Sequence, residues 1–213
     1  LRTVHFYKFK DMEGKKMGVS AGAAVLVAVQ NMCKELDVDY DKIEKVTLGP
    51  SDQIASLEKG DIDMMACWEP WVTTAEKEGG KLLFSGLQSY FPEKEGDVDW
   101  LSFECTFQVR GEFLEEHPAE VKAILRALKK ATEYINEHPE EAAKIVAKEI
   151  KQNEDTVLAI MKKNHYKMEM DDSFKKATND VAAFMKDTGD IDKVPEYSDY
   201  NDASLVKEVL GTK

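Results

Sequence analysis

Between Lys15 and Gly86 short apolar runs alternate with helix-patterned segments, and this alternation limits the fold more than any other feature of the chain. KKMGVS (15–20), IEKVTLG (43–49), IDMMACW (62–68) and KLLFSG (81–86) read as strands. IDMMACW is continuously apolar, as a strand buried on both faces is. AAVLVAVQNMCKEL (23–36) is long enough for a helix and apolar over much of its circumference. Ser51 and Asp52 are good N-caps for a second helix running to Glu58, and Lys59-Gly60 closes it. WVTTAEKEGG is a third, ended by its Gly pair. Strand and helix in turn are the pattern of a parallel sheet with crossover helices, an α/β domain.

The texture then changes. Residues 87–99 lack a period and contain Pro and Gly, so they read as a loop, while WLSFECTFQVR (100–110) reads as a last strand. Residues 111–186 carry mostly 3.6-residue periods. Pro118 and Pro139 stand where first helical turns begin, each after a His that ends the preceding element. Gly189 follows a helix end, and residues 190–213 read as an irregular acidic tail with a short final helix. EHP occurs only twice at irregular helix spacing, which argues against a helical solenoid.

Composition narrows the function classes. The chain has 213 residues, 43% hydrophobic and 33% charged, a balance typical of a globular domain or two. Its net charge of -12, without a basic block, disfavours nucleic acid, because phosphate binding needs clustered Lys and Arg. No apolar run approaches the ~18 residues of a membrane span. Cys33, Cys67 and Cys105 show no CxxC spacing, so they are expected to be buried thiols rather than a zinc site, and they leave the redox compartment open. His5, His117, His138 and His165 are dispersed, with no HExxH and no nucleophile triad order, so no catalytic or metal-ligating residue is assigned. LRTVHFYKF lacks an initiator Met and a signal-peptide pattern; it reads as an extended segment in mid-protein, with upstream sequence processed away or missing.

Ligands of open α/β sheets bind beyond the carboxyl ends of the strands, so three strand ends carry candidate binding residues. In VSAGAAV, the residues Ser20, Ala21, Gly22 and Ala23 lie where a strand turns into a helix. Unpaired N–H groups and the positive end of the helix dipole meet there, which suits sulfonate, carboxylate or phosphate without a cationic side chain. The competing reading makes Ser20 a helix N-cap and Gly22 a turn residue. In DMMACWEPW, the candidates are Trp68, Glu69 and Trp71. Against them, Trp68 is a core residue with a satisfied N–H, Glu69 a first-turn carboxylate and Pro70 an N1 proline. That account leaves the double Trp unexplained. Ser51, after Gly49-Pro50, is first of all a helix cap.

Four segments in order resemble a known family: MEGKKMGVSAGAA, VTLGPSDQIASLEKGDIDMMACWEPW, FLEEHPAEVKAILRALKKATEYINEHPEEAAKIVAKE and FMKDTGDI. They are similar to the substrate-binding proteins of ABC importers for sulfonates, taurine, nitrate and thiamine-pyrimidine precursors, the SsuA/TauA and NMT1/THI5-like group. The resemblance covers residues 10 to about 190. It implies a periplasmic-binding-protein-like type II fold, two α/β lobes with a hinge that close on a ligand. Residues 1–12 would be a hinge segment, 13–99 the second lobe, and 100–213 the return strand and C-terminal helices of a first lobe incomplete in this chain. That incompleteness would expose helical faces.

The same resemblance implies a solute receptor rather than an enzyme, with no cofactor. It would bind a small anionic or zwitterionic solute, whether sulfonate, taurine-like, nitrate or pyrimidine-type, and hand it to ABC permease subunits. The location would be periplasmic or extracytoplasmic, with the membrane reached through the transporter or an N-terminal lipid anchor outside this chain. Ser20–Ala23 would hold the oxyanion, Trp68 would cover the carbon skeleton, Glu69 would meet an amino group, and Trp71 would add a contact. Many relatives have Ser or Thr where this chain has Ala23, so one hydroxyl contact is expected to be missing. The alternatives on this fold are a ligand-sensing module and a thiamine-pyrimidine-synthesis-like enzyme; no CCCFC-like iron motif supports the second.

Overall fold

The computed structural model describes residues 6–211, and its chain divides after Phe103 into two units. His5 and the start of the expected hinge segment lie outside the described residues. Where that segment is described it turns rather than extends: Phe9–Met12 form a 3-10 helix, and the Asp11 carboxylate accepts from the N–H groups of Tyr7 and Lys8, each at 2.9 Å.

The first unit is built on three parallel strands in the order β2-β1-β3, with β1 at Lys16–Val19, β2 at Glu44–Thr47 and β3 at Met64–Ala66. Val19 pairs with Thr47 on one side and Ala66 on the other, so all three strands end at one edge. The connecting helices are α1 (Val25–Glu35), α2 (Pro50–Lys59) and α3 (Trp71–Lys77). Alternation along β1 divides its faces. Met17 and Val19 join Met64, Ala66 and the Val29 and Met32 side chains of α1 in the core. Each of the Met and Val side chains among them, once buried, contributes about 1.5–3 kcal/mol. Gly18 meets α2 on the other face; a Cβ there would lie 2.7 Å from Ile62 Cδ1 and 3.2 Å from Gln53 Cγ. The missing side chain is what lets α2 sit this close to the sheet.

Below α1, Phe9, Phe84, Phe91 and Trp100 form an aromatic cluster. Trp100 is edge-on to Phe9 and Phe84, with centroids 5.7 and 5.1 Å away. Its indole N–H donates to the Glu35 carboxylate at 2.8 Å, and its carbonyl accepts from the Asn31 side chain at 2.8 Å. The cluster fixes residues 84–100 to α1 without a strand ladder.

Several sequence expectations fail here. KLLFSG is not a strand; Phe84 makes one isolated bridge to Ser89. Residues 87–99, read as a loop, contain the antiparallel pair β4 (Gln88–Ser89) and β5 (Gly96–Asp97). WLSFECTFQVR is not a strand either: residues 101–110 have no regular structure, because no described strand pairs with them. Its aromatic and β-branched content is strand-like, but a strand exists only through its partner. Phe103 and Phe107 are consequently exposed.

The second unit is helical: α4 (Gly111–Glu116), α5 (Pro118–Glu137), α6 (Pro139–Ile150), α7 (Glu154–Met161), α8 (Asp172–Asp187), α9 (Tyr197–Tyr200) and α10 (Ser204–Leu210). Pro118 and Pro139 open α5 and α6, where their missing N–H costs nothing. Ala142, Ala143 and Ala147 let α6 lie against Val157 and Met161 of α7. On α5, Val121 and Leu125 are buried while Ile124 and Leu128 remain exposed. Of the three thiols, Cys33 is buried, Cys67 half-buried and Cys105 exposed, so uniform burial is corrected. Burial pushes the Cys33 thiol up to about 11 and also raises that of Cys67, which keeps both from acting as thiolates at neutral pH. No helix among the described residues is long and apolar enough to cross a membrane.

Candidate ligand-binding site

Because the strands are parallel and in register, the turns after β1, β2 and β3 stand side by side at one edge of the sheet. Ser20, Ala21, Gly22 and Ala23 form the first turn, Gly49 and Pro50 lead Ser51 into α2, and Trp68, Glu69 and Trp71 form the third. The structure therefore brings the sequence-selected residues to a common edge. Their local roles differ.

The turn after β1 is open. Gly22 has φ 65°, a left-handed conformation that favours glycine, and a Cβ on it would meet no atom within 4 Å. Ala21 and Gly22 are exposed. The Ala23 N–H closes the turn on Ser20 O at 3.2 Å, and the Leu26 N–H donates to Ala23 O at 3.0 Å. Among the described residues, the N–H groups of Ala21, Gly22, Ala24 and Val25 have no protein acceptor. No side chain caps α1. Ser20 is thus not the helix cap: its hydroxyl donates to Leu48 O at 3.2 Å and accepts from Gln53 Nε2 at 3.3 Å, linking the ends of β1 and β2. In this conformation the Ser20 proton already has an acceptor within the protein.

The second turn also departs from expectation. Helix α2 starts at Pro50 with Gly49 in the cap position, so neither Ser51 nor Asp52 is the N-cap. Proline at the first helical position leaves Ser51 already inside the helix, exposed.

The third turn is occupied. The Glu69 carboxylate accepts from the Thr73 N–H at 2.9 Å. Trp71 and Val72 N–H groups donate to Trp68 O at 3.0 and 3.3 Å, and Thr74 N–H to Pro70 O at 3.0 Å. The opening amides of α3 therefore all have acceptors; Glu69 is not in the expected first turn but one residue before the cap, from where its carboxylate reaches the helix start. Pro70, expected at N1, occupies the cap position instead, after a cis peptide bond, and α3 begins at Trp71. Trp68 is 47% exposed, which excludes the core reading for it, whereas Trp71 is half-buried.

Sequence reasoning missed Gln53. It is 0% exposed, and its Nε2 reaches both Ser20 Oγ and Leu48 O, the latter at 3.1 Å. The signal was its place one turn before Leu57 on α2, opposite Gly18, where a polar residue is unexpected. A cavity of about 430 Å³ lies beside β3, but its lining is dominated by Met17, Val29, Met64, Leu83 and Phe84, the chemistry of a core. Among the described residues no group of three or more His, Cys, Asp or Glu side chains is placed to hold a metal ion.

A family described as NMT1/THI5 like matches residues 2–142, more than half of the chain. This protein belongs to the NMT1/THI5-like family. The NMT1/THI5-like chain is 28% identical over 204 residues to a Bacillus subtilis (strain 168) protein provisionally named an aliphatic sulfonates-binding protein, covering 94% of this chain and 58% of that one. It is also 28% identical over 214 residues to the taurine-binding periplasmic protein of Escherichia coli (strain K12), covering 94% and 64%. In fold it is similar to the crystal structure of the periplasmic aliphatic sulphonate binding protein SsuA from Escherichia coli, with TM-score 0.71 and 15% identity over 91% of this chain and 60% of that one. The fold is therefore the α/β, periplasmic-binding-protein-like class expected from the sequence. The chain spans less than two thirds of the length of these relatives.

Proposed function

We propose that this chain is part of the solute-binding receptor of an ABC importer, taking a small organic anion or zwitterion of the sulfonate and taurine type. The observation that carries this reading is the turn from Ser20 to Val25. It collects four unpartnered N–H groups at the positive end of α1 on an exposed edge. Oriented backbone donors at a helix start stabilise an anion without a neutralising side chain. A sulfonate offers three acceptor oxygens and keeps its charge at all physiological pH values. The names of the relatives support the same solute class.

On this reading Trp68 supplies an exposed indole face for the carbon skeleton. Glu69, held in place by the Thr73 N–H, presents negative charge toward an ammonium group two or three bonds from the sulfonate. Ser51 and Trp71 stand at the margins of the same edge. Residues 13–99 are assigned to one lobe and residues 100–213 to the other, with a permease as partner and an extracytoplasmic location.

Thermal-shift measurement with taurine, ethanesulfonate, nitrate and a pyrimidine tests the proposal. A ligand at a hundredfold excess over its Kd contributes about 2.7 kcal/mol, enough to raise the midpoint of a domain of this size by several degrees. No shift with any member of the panel, or a shift that survives intact in both Trp68→Ala and Glu69→Ala, would overturn the assignment.

A further inference from the structure

We infer that Gln53 is a positioning residue of the anion turn, and that its buried amide frees the Ser20 hydroxyl to turn from the protein to the ligand. The inference rests on the reading of the turn as an anion site.

Gln53 lies on the sheet-facing side of α2 beneath the ends of β1 and β2. It is 0% exposed, and its Oε1 is buried without a hydrogen-bond partner. A buried acceptor left unpaired is costly, so a side chain that tolerates one must be retained for its other contacts. Those contacts are the two made by Nε2, to Leu48 O at 3.1 Å and to Ser20 Oγ at 3.3 Å. The amide orientation follows from chemistry: a flipped group would set Oε1 against the Leu48 carbonyl, acceptor against acceptor.

Leu48 O consequently receives two donors, the Gln53 amide and the Ser20 hydroxyl. The hydroxyl bond, at 3.2 Å, is long for O–H···O, which is commonest near 2.7–2.8 Å. If Ser20 rotates its proton toward an incoming oxyanion, Leu48 O keeps the amide donor and this half-buried carbonyl is not orphaned. Meanwhile Ser20 Oγ still accepts from Nε2, which polarises the hydroxyl and strengthens it as a donor. Without Gln53 the hydroxyl would be the remaining side-chain donor to Leu48 O, and giving it up would expose a carbonyl to the full cost of an unmade bond. Gln53 thereby decides whether Ser20 serves the protein or the ligand. Gly18 makes this arrangement available, since any Cβ there would crowd Gln53 Cγ at 3.2 Å.

A double-mutant cycle with ethanesulfonate as probe tests the inference by calorimetry on the full chain. Ser20→Ala is expected to weaken binding about tenfold, the worth of one hydrogen bond to a charged group. Gln53→Met, which keeps the volume, is expected to weaken it by about the same factor, and the double variant no further, because Ser20 is already committed to Leu48 O. Multiplying losses, or unchanged affinity in Gln53→Met, overturns the inference. Should Gln53→Met not fold, Gln53→Leu carries the same expectation, since it too offers Leu48 O no donor and adds no charge beside the anion. Ligand-free amide exchange separates this inference from the receptor reading. Faster exchange at Ala23 and Leu48 in Gln53→Met is expected even if the wild type ignores ethanesulfonate, which would overturn the receptor reading alone. Unchanged exchange at both overturns the brace whatever the ligand result.

Discussion

The turns after β1 and β3 are neighbours at the same sheet edge, and both lead into helices, yet their electrostatic states are opposite. The turn after β3 carries its own anion: Glu69, one residue before the cap position of α3, accepts from the Thr73 N–H. The residue in the equivalent place before α1 is Ala23, which has no side-chain acceptor, and the amides of Ala24 and Val25 are left open. A helix start attracts negative charge whether it comes from the chain or from solution. The first turn can receive an external anion because the chain withholds an internal one. The third has its charge built in, and on the proposed function it would meet the solute as a negative group beside an exposed indole. On the far side of the first turn, Pro50 removes a donor from the turn after β2.

The sharpest way to break this contrast is to give the first turn what the third already has. Ala23→Glu places a carboxylate where Glu69 stands relative to its helix. Its own charge should occupy the open start of α1 and repel an incoming anion. Ethanesulfonate affinity is expected to fall at least a hundredfold, about 2.7 kcal/mol, with the thermal midpoint unchanged or slightly raised. If the variant binds ethanesulfonate as the wild type does, the first turn is not the anion site.

Removing the close approach of α2 reaches the first turn through Gln53. Gly18→Ala puts a Cβ within 2.7 Å of Ile62 Cδ1, and a small-to-large change in a packed layer costs about 1–3 kcal/mol. Denaturant unfolding is expected to show that loss together with weaker ethanesulfonate binding. Retention of stability would mean that the Ile62 methyl and Gln53 shift aside at little cost, so that Gly18 is not what sets the approach of α2. The converse experiment, Glu69→Ala, opens the third turn. It is expected to cost about 1 kcal/mol for the lost carboxylate at the helix start. It should also erase any preference for taurine over ethanesulfonate in calorimetry, while leaving ethanesulfonate itself bound at least as tightly.

Most of the parallel α/β framework was legible from periodicity and turn chemistry, which are local. β1, β2 and β3 each lie within an expected run, and Gly60 closes α2 as expected. What escaped were features decided by distant partners. KLLFSG and WLSFECTFQVR have strand composition but no described ladder. A hairpin at 88–97 was hidden because its two paired residues per strand are too few to show a period. At the site, the resemblance and the strand-end rule led to turns that share one edge, but the partner of the Ser20 hydroxyl was not legible, because it lies 28 residues away at the end of the next strand. Gln53 left no mark beyond a polar residue in an apolar stripe, since its role lies entirely in two contacts across elements.

The smallest effect concerns the other end of α1, and it separates stability from binding. Glu35 is the last residue of that helix, where a negative charge opposes the helix dipole. Lys94 and then the Trp100 indole N–H hold its carboxyl below the usual carboxylate range. A depressed folded-state pKa means that the carboxylate contributes stability above the unfolded value of 4.5, and that this contribution is lost as pH falls through the lower folded value. The side chain is well exposed, so solvent screening keeps the effect within about 1 kcal/mol. Wild-type stability should therefore decline below pH 4.5 with a component that Glu35→Gln lacks. Ethanesulfonate affinity should not share it, since neither backbone N–H groups nor a sulfonate titrates in that window. Parallel acid unfolding curves for the two proteins would remove Glu35 from the account. An ethanesulfonate affinity that falls in step with Glu35 protonation would show that the two ends of α1 are coupled, and that the openness of the first turn depends on how the helix is held at its far end.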